Sequence, residues 1–77
     1  MKLKDWRKYV ADQIGVAVLQ EDVAAWMGVS YEAYRKMESG HTRVRKVHSY
    51  ALLRGMGIHT ELPYDDALEL IIRLDHI

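Results

Sequence analysis

Gly28, Val29 and Ser30 stand between two short runs of helical spacing, and this punctuation constrains the chain more than any other stretch. Glycine can take the left-handed conformation that ends a helix, and a serine hydroxyl can cap the start of the next. The pattern therefore predicts two helices joined by a three-residue turn. The first runs from Gln20 to Met27, with Glu21 and Asp22 in its first turn, where the helix dipole favours anions, and Val23, Ala24 and Met27 as its inner stripe. The second follows Ser30 and stops at Gly40. Val29, just before the cap, and Tyr34, inside the helix, have the spacing of a hydrophobic staple, which sets the angle at which the chain enters.

The rest of the chain also reads as helix, because apolar residues recur at three and four and no long alternation is present. A first helix is expected from Asp5 as N-cap through Trp6, Val10 and Ile14, with Gly15 as its stop. A fourth is expected over 45–54, with Val47, Tyr50 and Ala51 inward and GMGIHT as its break. The last is expected over 63–75, opened by Pro63, with Asp65 and Asp66 near the positive end of its dipole. Trp6, Trp26, Met27 and Tyr50 are the expected large core side chains. The 77 residues, 49% of them apolar, suffice for one domain with one core, and no repeat or linker divides them.

The short helix after Ser30 has two faces. Counting 100° per residue from Tyr31, Arg35 falls at roughly 40°, Glu32 at roughly 100° and Lys36 at roughly 140°, whereas Ala33, Met37 and Tyr34 fall between about 200° and 300°. Four polar or aromatic side chains thus share one side. Such a face on its own is ordinarily just solvated, so its neighbourhood matters. The formal net charge is zero, but residues 31–54 hold six Lys/Arg against two Asp/Glu, and residues 55–77 one against five. The basic middle, including His41, Thr42, Arg43, Arg45 and Lys46, points to an anionic partner.

Residues 20–40, QEDVAAWMGVSYEAYRKMESG, resemble the Cro/phage-repressor (Xre-type) helix-turn-helix, whose members look like QxxLAxxLGVSxxxxxxxExG. Gln20, Val23, Ala24, Met27, Gly28, Val29, Ser30, Glu38 and Gly40 fall on that pattern. The resemblance implies an all-α, compact five-helix lambda-repressor-like domain over residues 1–77, with the motif over about 20–38 and its second helix entering the DNA major groove. It assigns Gln20 to a phosphate and Ser30, Tyr31, Glu32, Ala33, Arg35 and Lys36 to base edges. It also pairs Glu38 with a cation of the first helix, for which Arg7 and Lys8 are at hand. The chain departs from the pattern in a longer segment before Gln20 and in Leu19, which stands where a hydroxyl or amide residue usually caps.

Elementary chemistry limits what each side chain can read. Arg35 and Lys36 match guanine acceptors, Glu32 matches the cytosine N4 donor, and Tyr31 can either pack on a thymine methyl or bond a phosphate. His41, Thr42, Arg43, Arg45 and Lys46 are candidates for phosphate contacts that hold register without reading sequence.

Other classes find little support. There is no cysteine, so disulfides and thiolate chemistry are excluded. The four histidines include no pair at helical ligand spacing, and His48 beside Ser49 does not make a triad, so no metal, no cofactor and no enzymatic activity are expected. No apolar run approaches the ~18 residues of a membrane span, and MKLKDW lacks a signal-peptide core, so a cytoplasmic location is expected.

The expected function is that of a sequence-specific transcriptional regulator, a repressor on an operator. The alternative is a protein-interaction adaptor, an antitoxin or small phage inhibitor, that uses the same fold to bind a protein such as a toxin. Assembly follows from DDALELIIRLDHI, whose apolar arc spans roughly 220°, more than the ~100° stripe that one core requires. Leu68, Ile71 and Ile72 are therefore expected to form a homodimer interface on an inverted-repeat site in double-stranded DNA.

Overall fold

The computed structural model describes residues 1–74, and these form five helices: α1 (Leu3–Ile14), α2 (Gln20–Met27), α3 (Tyr31–Glu38), α4 (Lys46–His59) and α5 (Tyr64–Ile71). Among the described residues there is no strand, and no helix is long and apolar enough to cross a membrane. The expected all-α fold of five helices is the one observed. The described apolar core gathers Trp6 and Val10 of α1, Val23, Trp26 and Met27 of α2, Tyr34 and Met37 of α3, Leu52 and Met56 of α4, and Ala67, Leu70 and Ile71 of α5. α2 is the hub, packing most extensively on α4 and then on α3.

Local chemistry sets the central helices. Leu19 has no side-chain acceptor to cap α2, and the cap is supplied in reverse: the Asp22 carboxylate accepts the Leu19 N–H at 2.9 Å. Gly28, at φ 76°, ends α2 in the left-handed conformation. The Ser30 hydroxyl then accepts the Ala33 N–H at 3.1 Å and starts α3. At the far end, Gly40 (φ 88°) donates to Met37 O and His41 to Lys36 O, the paired bonds of a Schellman stop. Tyr34 and Met37 face inward and are buried, as the two-faced wheel predicts.

The outer helices depart from expectation. α1 begins at Leu3, not after Asp5, because Leu3 is itself buried and Asp5 sits inside the first turn. α4 does not break at GMGIHT but continues to His59. Gly55 is the reason: a Cβ placed there would lie 1.6 Å from the Trp26 carbonyl oxygen, so this glycine lets α4 approach the backbone of α2. The inward face of α4 is Ser49, Leu52, Gly55 and Met56; Val47 and Tyr50, expected inside, point out and are 64% and 70% exposed, while Ala51 is half-buried. α4 carries two competing apolar stripes, and contact with Trp26 selects the one that contains the small residues.

α5 starts after Pro63 and ends at Ile71, followed by a turn that brings Leu74 into the core. The expected continuation to Asp75 lies outside the described residues. Ile71 is buried in the monomer, contrary to its expected place on an interface, because it shares the inward side of α5 with Ala67 and Leu70. Leu68 and Ile72 remain exposed. The Trp6 indole N–H donates to Leu70 O at 2.7 Å and ties α1 to α5.

Candidate nucleic-acid interface

The outward side of α3 presents Tyr31, Glu32, Arg35 and Lys36, all exposed, with Ser30 exposed at its start and Ala33 half-buried behind them. Their direction is fixed by what holds the inner side. Arg7 of α1 grips Glu38 at the end of α3 through two N–H···O bonds, Nε to Oε2 at 3.0 Å and Nη2 to Oε1 at 3.1 Å, and its Nη1 donates to Val18 O. The cation that pairs with Glu38 is thus Arg7. The two side chains are only 18% and 5% exposed, so this bidentate pair acts with little competition from water.

The electrostatics of this pair are coupled to Tyr34. Burial works to raise the Glu38 pKa, but the hydrogen bond from Arg7, with contributions from Tyr34 and Gln20, outweighs it and the net shift is downward. Burial pushes the Tyr34 hydroxyl pKa far up, so it stays protonated. That hydroxyl is enclosed beside the Arg7–Glu38 pair without meeting hydrogen-bond geometry to either.

Gln20, expected at a phosphate, also makes bonds within the protein. Its amide N–H donates to Glu38 Oε1 at 3.0 Å, and its carbonyl oxygen accepts the Tyr31 hydroxyl at 3.3 Å. Both ends of the amide thus make bonds within the protein, so Gln20 joins the anchor of α3 while also lining the outer face, with a second amide N–H beyond the one given to Glu38. On the outer side, Arg35 lies over the Tyr31 ring, with Cζ 5.6 Å from the centroid, and its Nη1 is 3.8 Å from Glu32 Oε1. A shallow depression of about 500 Å³ lies along this face, lined by Lys4, Gln20, Glu32, Arg35, Lys36, Glu38, Ser39 and His41.

Protein-family models, curated proteins and solved structures contain no match to the chain. The functional reading therefore rests on the residues and their geometry.

Beyond α3 the chain turns through His41, Thr42, Arg43, Arg45 and Lys46, all exposed, while Val44 between them is half-buried and packs against the core. Val44 anchors the loop and leaves its basic side chains outside. α4 opens with Lys46 and has no acidic residue in its first turn. Cations at the positive end of a helix are unfavourable unless an anion joins them. The His48 ring nitrogen Nδ1 accepts the Arg45 N–H at 2.9 Å and caps this helix, a role that its position after a basic run did not advertise. His41 Nδ1 and Ser39 Oγ are 2.8 Å apart, which holds His41 against the end of α3. Lys4, on the rim of the depression, was not among the expected site residues; only the docking of α1 beside α3 brings it there.

Proposed function

We propose that this chain is a sequence-specific DNA-binding transcriptional regulator, a repressor that occupies an operator as a dimer. The observation that carries the reading is a short helix, clamped from behind by Arg7, Glu38 and Gln20, that presents Tyr31, Glu32, Arg35 and Lys36 outward beside an exposed basic loop. A helix of this width fits the major groove, and a basic loop next to it meets the phosphate backbone. Ser30 and Ala33 flank the base-reading side chains at the groove end of the helix.

Fluorescence anisotropy with a labelled duplex at two salt concentrations tests the reading. Binding that weakens steeply with salt is expected, and alanine at Arg43, Arg45 or Lys46 should lower affinity about equally on selected and random duplexes. Each lost phosphate contact should reduce the log–log salt slope by about 0.9. Unchanged slopes in all of these variants would leave the run His41 to Lys46 as a solvated loop.

The dimer follows from the apolar face between α4 and α5. Tyr50, Leu53, Leu68 and Ile72 line a crevice of about 220 Å³ there, with Ile71 at its floor and Lys46 at its edge. Ile72 is 67% exposed and Tyr50 70%, which is costly for a free monomer surface and natural for an isologous contact. Light scattering is expected to show a wild-type dimer and an Ile72→Glu monomer that keeps its helical circular dichroism and binds DNA much more weakly. A wild-type monomer at micromolar concentration, with full affinity in the variant, would remove the dimer from the proposal.

The same apolar face sustains a second reading, an adaptor that docks a protein such as a toxin on α4 and α5. Under that reading alanine at Arg43 or Arg45 leaves function intact, which separates the two.

A further inference from the structure

A continuous run of side-chain contacts leads from the buried ion pair to the outer tip of α3. Arg7 holds Glu38, Glu38 accepts from Gln20, Gln20 accepts the Tyr31 hydroxyl, Arg35 covers the Tyr31 ring, and Glu32 faces Arg35. The tip therefore meets a duplex already arranged, and the arrangement narrows what it can read.

Tyr31 commits its hydroxyl to Gln20, which leaves the exposed part of the ring that Arg35 does not cover as its contact surface. The apolar group on the major-groove edge is the thymine methyl. Arg35 offers only donors, in a fork that matches guanine O6 and N7, and Glu32 as a carboxylate offers only acceptors, which suit cytosine N4. With Arg35 Nη1 and Glu32 Oε1 3.8 Å apart, both can meet a single base pair. A G·C pair presents two acceptors and then a donor along its edge, in register with Arg35 and then Glu32. An A·T pair in the same orientation keeps the N7 acceptor but sets the adenine N6 donor where Arg35 would meet guanine O6, and the thymine O4 acceptor against Glu32. Arg35 then loses one of its two bonds and the Glu32 contact becomes repulsive. The Tyr31 centroid lies 5.6 Å from the guanidinium carbon. Base pairs stack about 3.4 Å apart, so this separation lies between one and two steps and the ring is within reach of a pair next to the one that Arg35 meets.

We infer that the DNA site holds a G·C pair read jointly by Arg35 and Glu32, next to a T·A pair whose methyl group packs on Tyr31. Gln20 is the positioning residue that holds the ring in place. This assignment rests on the DNA-binding reading above.

The test is selection of bound duplexes from a randomised pool by the full chain. Affinities are then measured on the recovered site and on the same site with deoxyuridine in place of thymidine, which removes only the methyl. Recovered sites should share a G·C pair beside a T·A pair. Arg35→Ala should bind about tenfold to a hundredfold more weakly and lose the preference for G·C over A·T at that pair. Uracil should weaken the wild type by about fourfold and leave Tyr31→Ala unaffected. Gln20→Leu should reduce the preference for thymine over uracil with an unaltered salt slope, a change that general loss of stability would not produce. A recovered site whose G·C preference survives Arg35→Ala, or uracil bound as well as thymine by the wild type, overturns the assignment and leaves DNA binding standing. Recovery of no duplex overturns both.

Discussion

Alanine at Gly55 is expected to lower the thermal midpoint of the domain by more than ~10 °C, and in a domain this small to leave a large unfolded fraction at room temperature. The added Cβ would lie 1.6 Å from the carbonyl oxygen of Trp26, 2.3 Å from its carbonyl carbon and 2.5 Å from its Cα. These are backbone atoms, which cannot rotate aside as a side-chain tip can. Relief requires α4 to withdraw from α2 along the most extensive helix contact of the fold, loosening Trp26, Leu52 and Met56 together. Overpacking with a movable neighbour costs about 1–3 kcal/mol, and a rigid neighbour places this variant at or above the top of that range. Gly57 provides the comparison, because nothing lies within 4 Å of its would-be Cβ. Alanine there should stabilise α4 by about 0.5–1 kcal/mol through a stiffer unfolded chain. Thermal circular dichroism on the two variants checks both signs, and a Gly55→Ala midpoint equal to that of Gly57→Ala would mean that the helices do not meet at this glycine.

The second large effect is expected at Glu38. Alanine in its place leaves the Arg7 guanidinium partly buried without its carboxylate and frees one end of Gln20. Losing one member of a buried pair costs about 3–5 kcal/mol, and the bond that Arg7 keeps to Val18 O moderates this to about 2–4 kcal/mol. Urea unfolding measures it. The pH dependence has a definite sign: the native Glu38 pKa is lowered, so its contribution is present above the ordinary carboxylate range, about pH 4.3, and is lost as pH falls through the depressed native value. The stability gap between wild type and Glu38→Gln should therefore shrink in acid. A gap that stays constant from about pH 7 to about pH 2 would show that the carboxylate gains nothing from its partners.

How much of this was legible beforehand depended on how local each signal is. The bounds of α2 and α3 were readable because Gly28, Ser30 and Gly40 act through their own backbone and hydroxyl groups. The extent of α4 was not, since Gly55 and Gly57 read as breakers until Trp26 is known to lie against the first of them. The inward face of α4 was misassigned for a related reason: Val47 and Tyr50 are more apolar than Ser49, and only the docking partner shows that the close-packed side needs small residues. In the site, the exposed set Tyr31, Glu32, Arg35 and Lys36 followed from the helix wheel. The bond between Gln20 and Tyr31 did not, because it joins two polar residues on different helices, and polarity alone says nothing about which helix ends come together. The Arg7–Glu38 pair was foreshadowed by the resemblance and then chosen between two neighbouring cations by the orientation of α1.

The division of α3 into a gripped side and an open side has a consequence for how such a protein can change. Ser30, Tyr34, Met37, Glu38 and Gly40 carry the cap, the core and the stop, whereas the side chains of Glu32, Arg35 and Lys36 are exposed and enter none of these, with Arg35 meeting Glu32 and the outer Tyr31 ring. Mutations at those three surface positions therefore meet almost no penalty in folding, and surface substitutions of this kind usually stay within about 0.5 kcal/mol. A lineage can rewrite them one at a time, acquiring and discarding partners while each intermediate remains folded. Tyr31 is the exception, because its hydroxyl is bonded to Gln20 behind it, and a change there also releases one end of the Gln20 amide. The helix is thus free to diversify at three positions and tethered at the fourth.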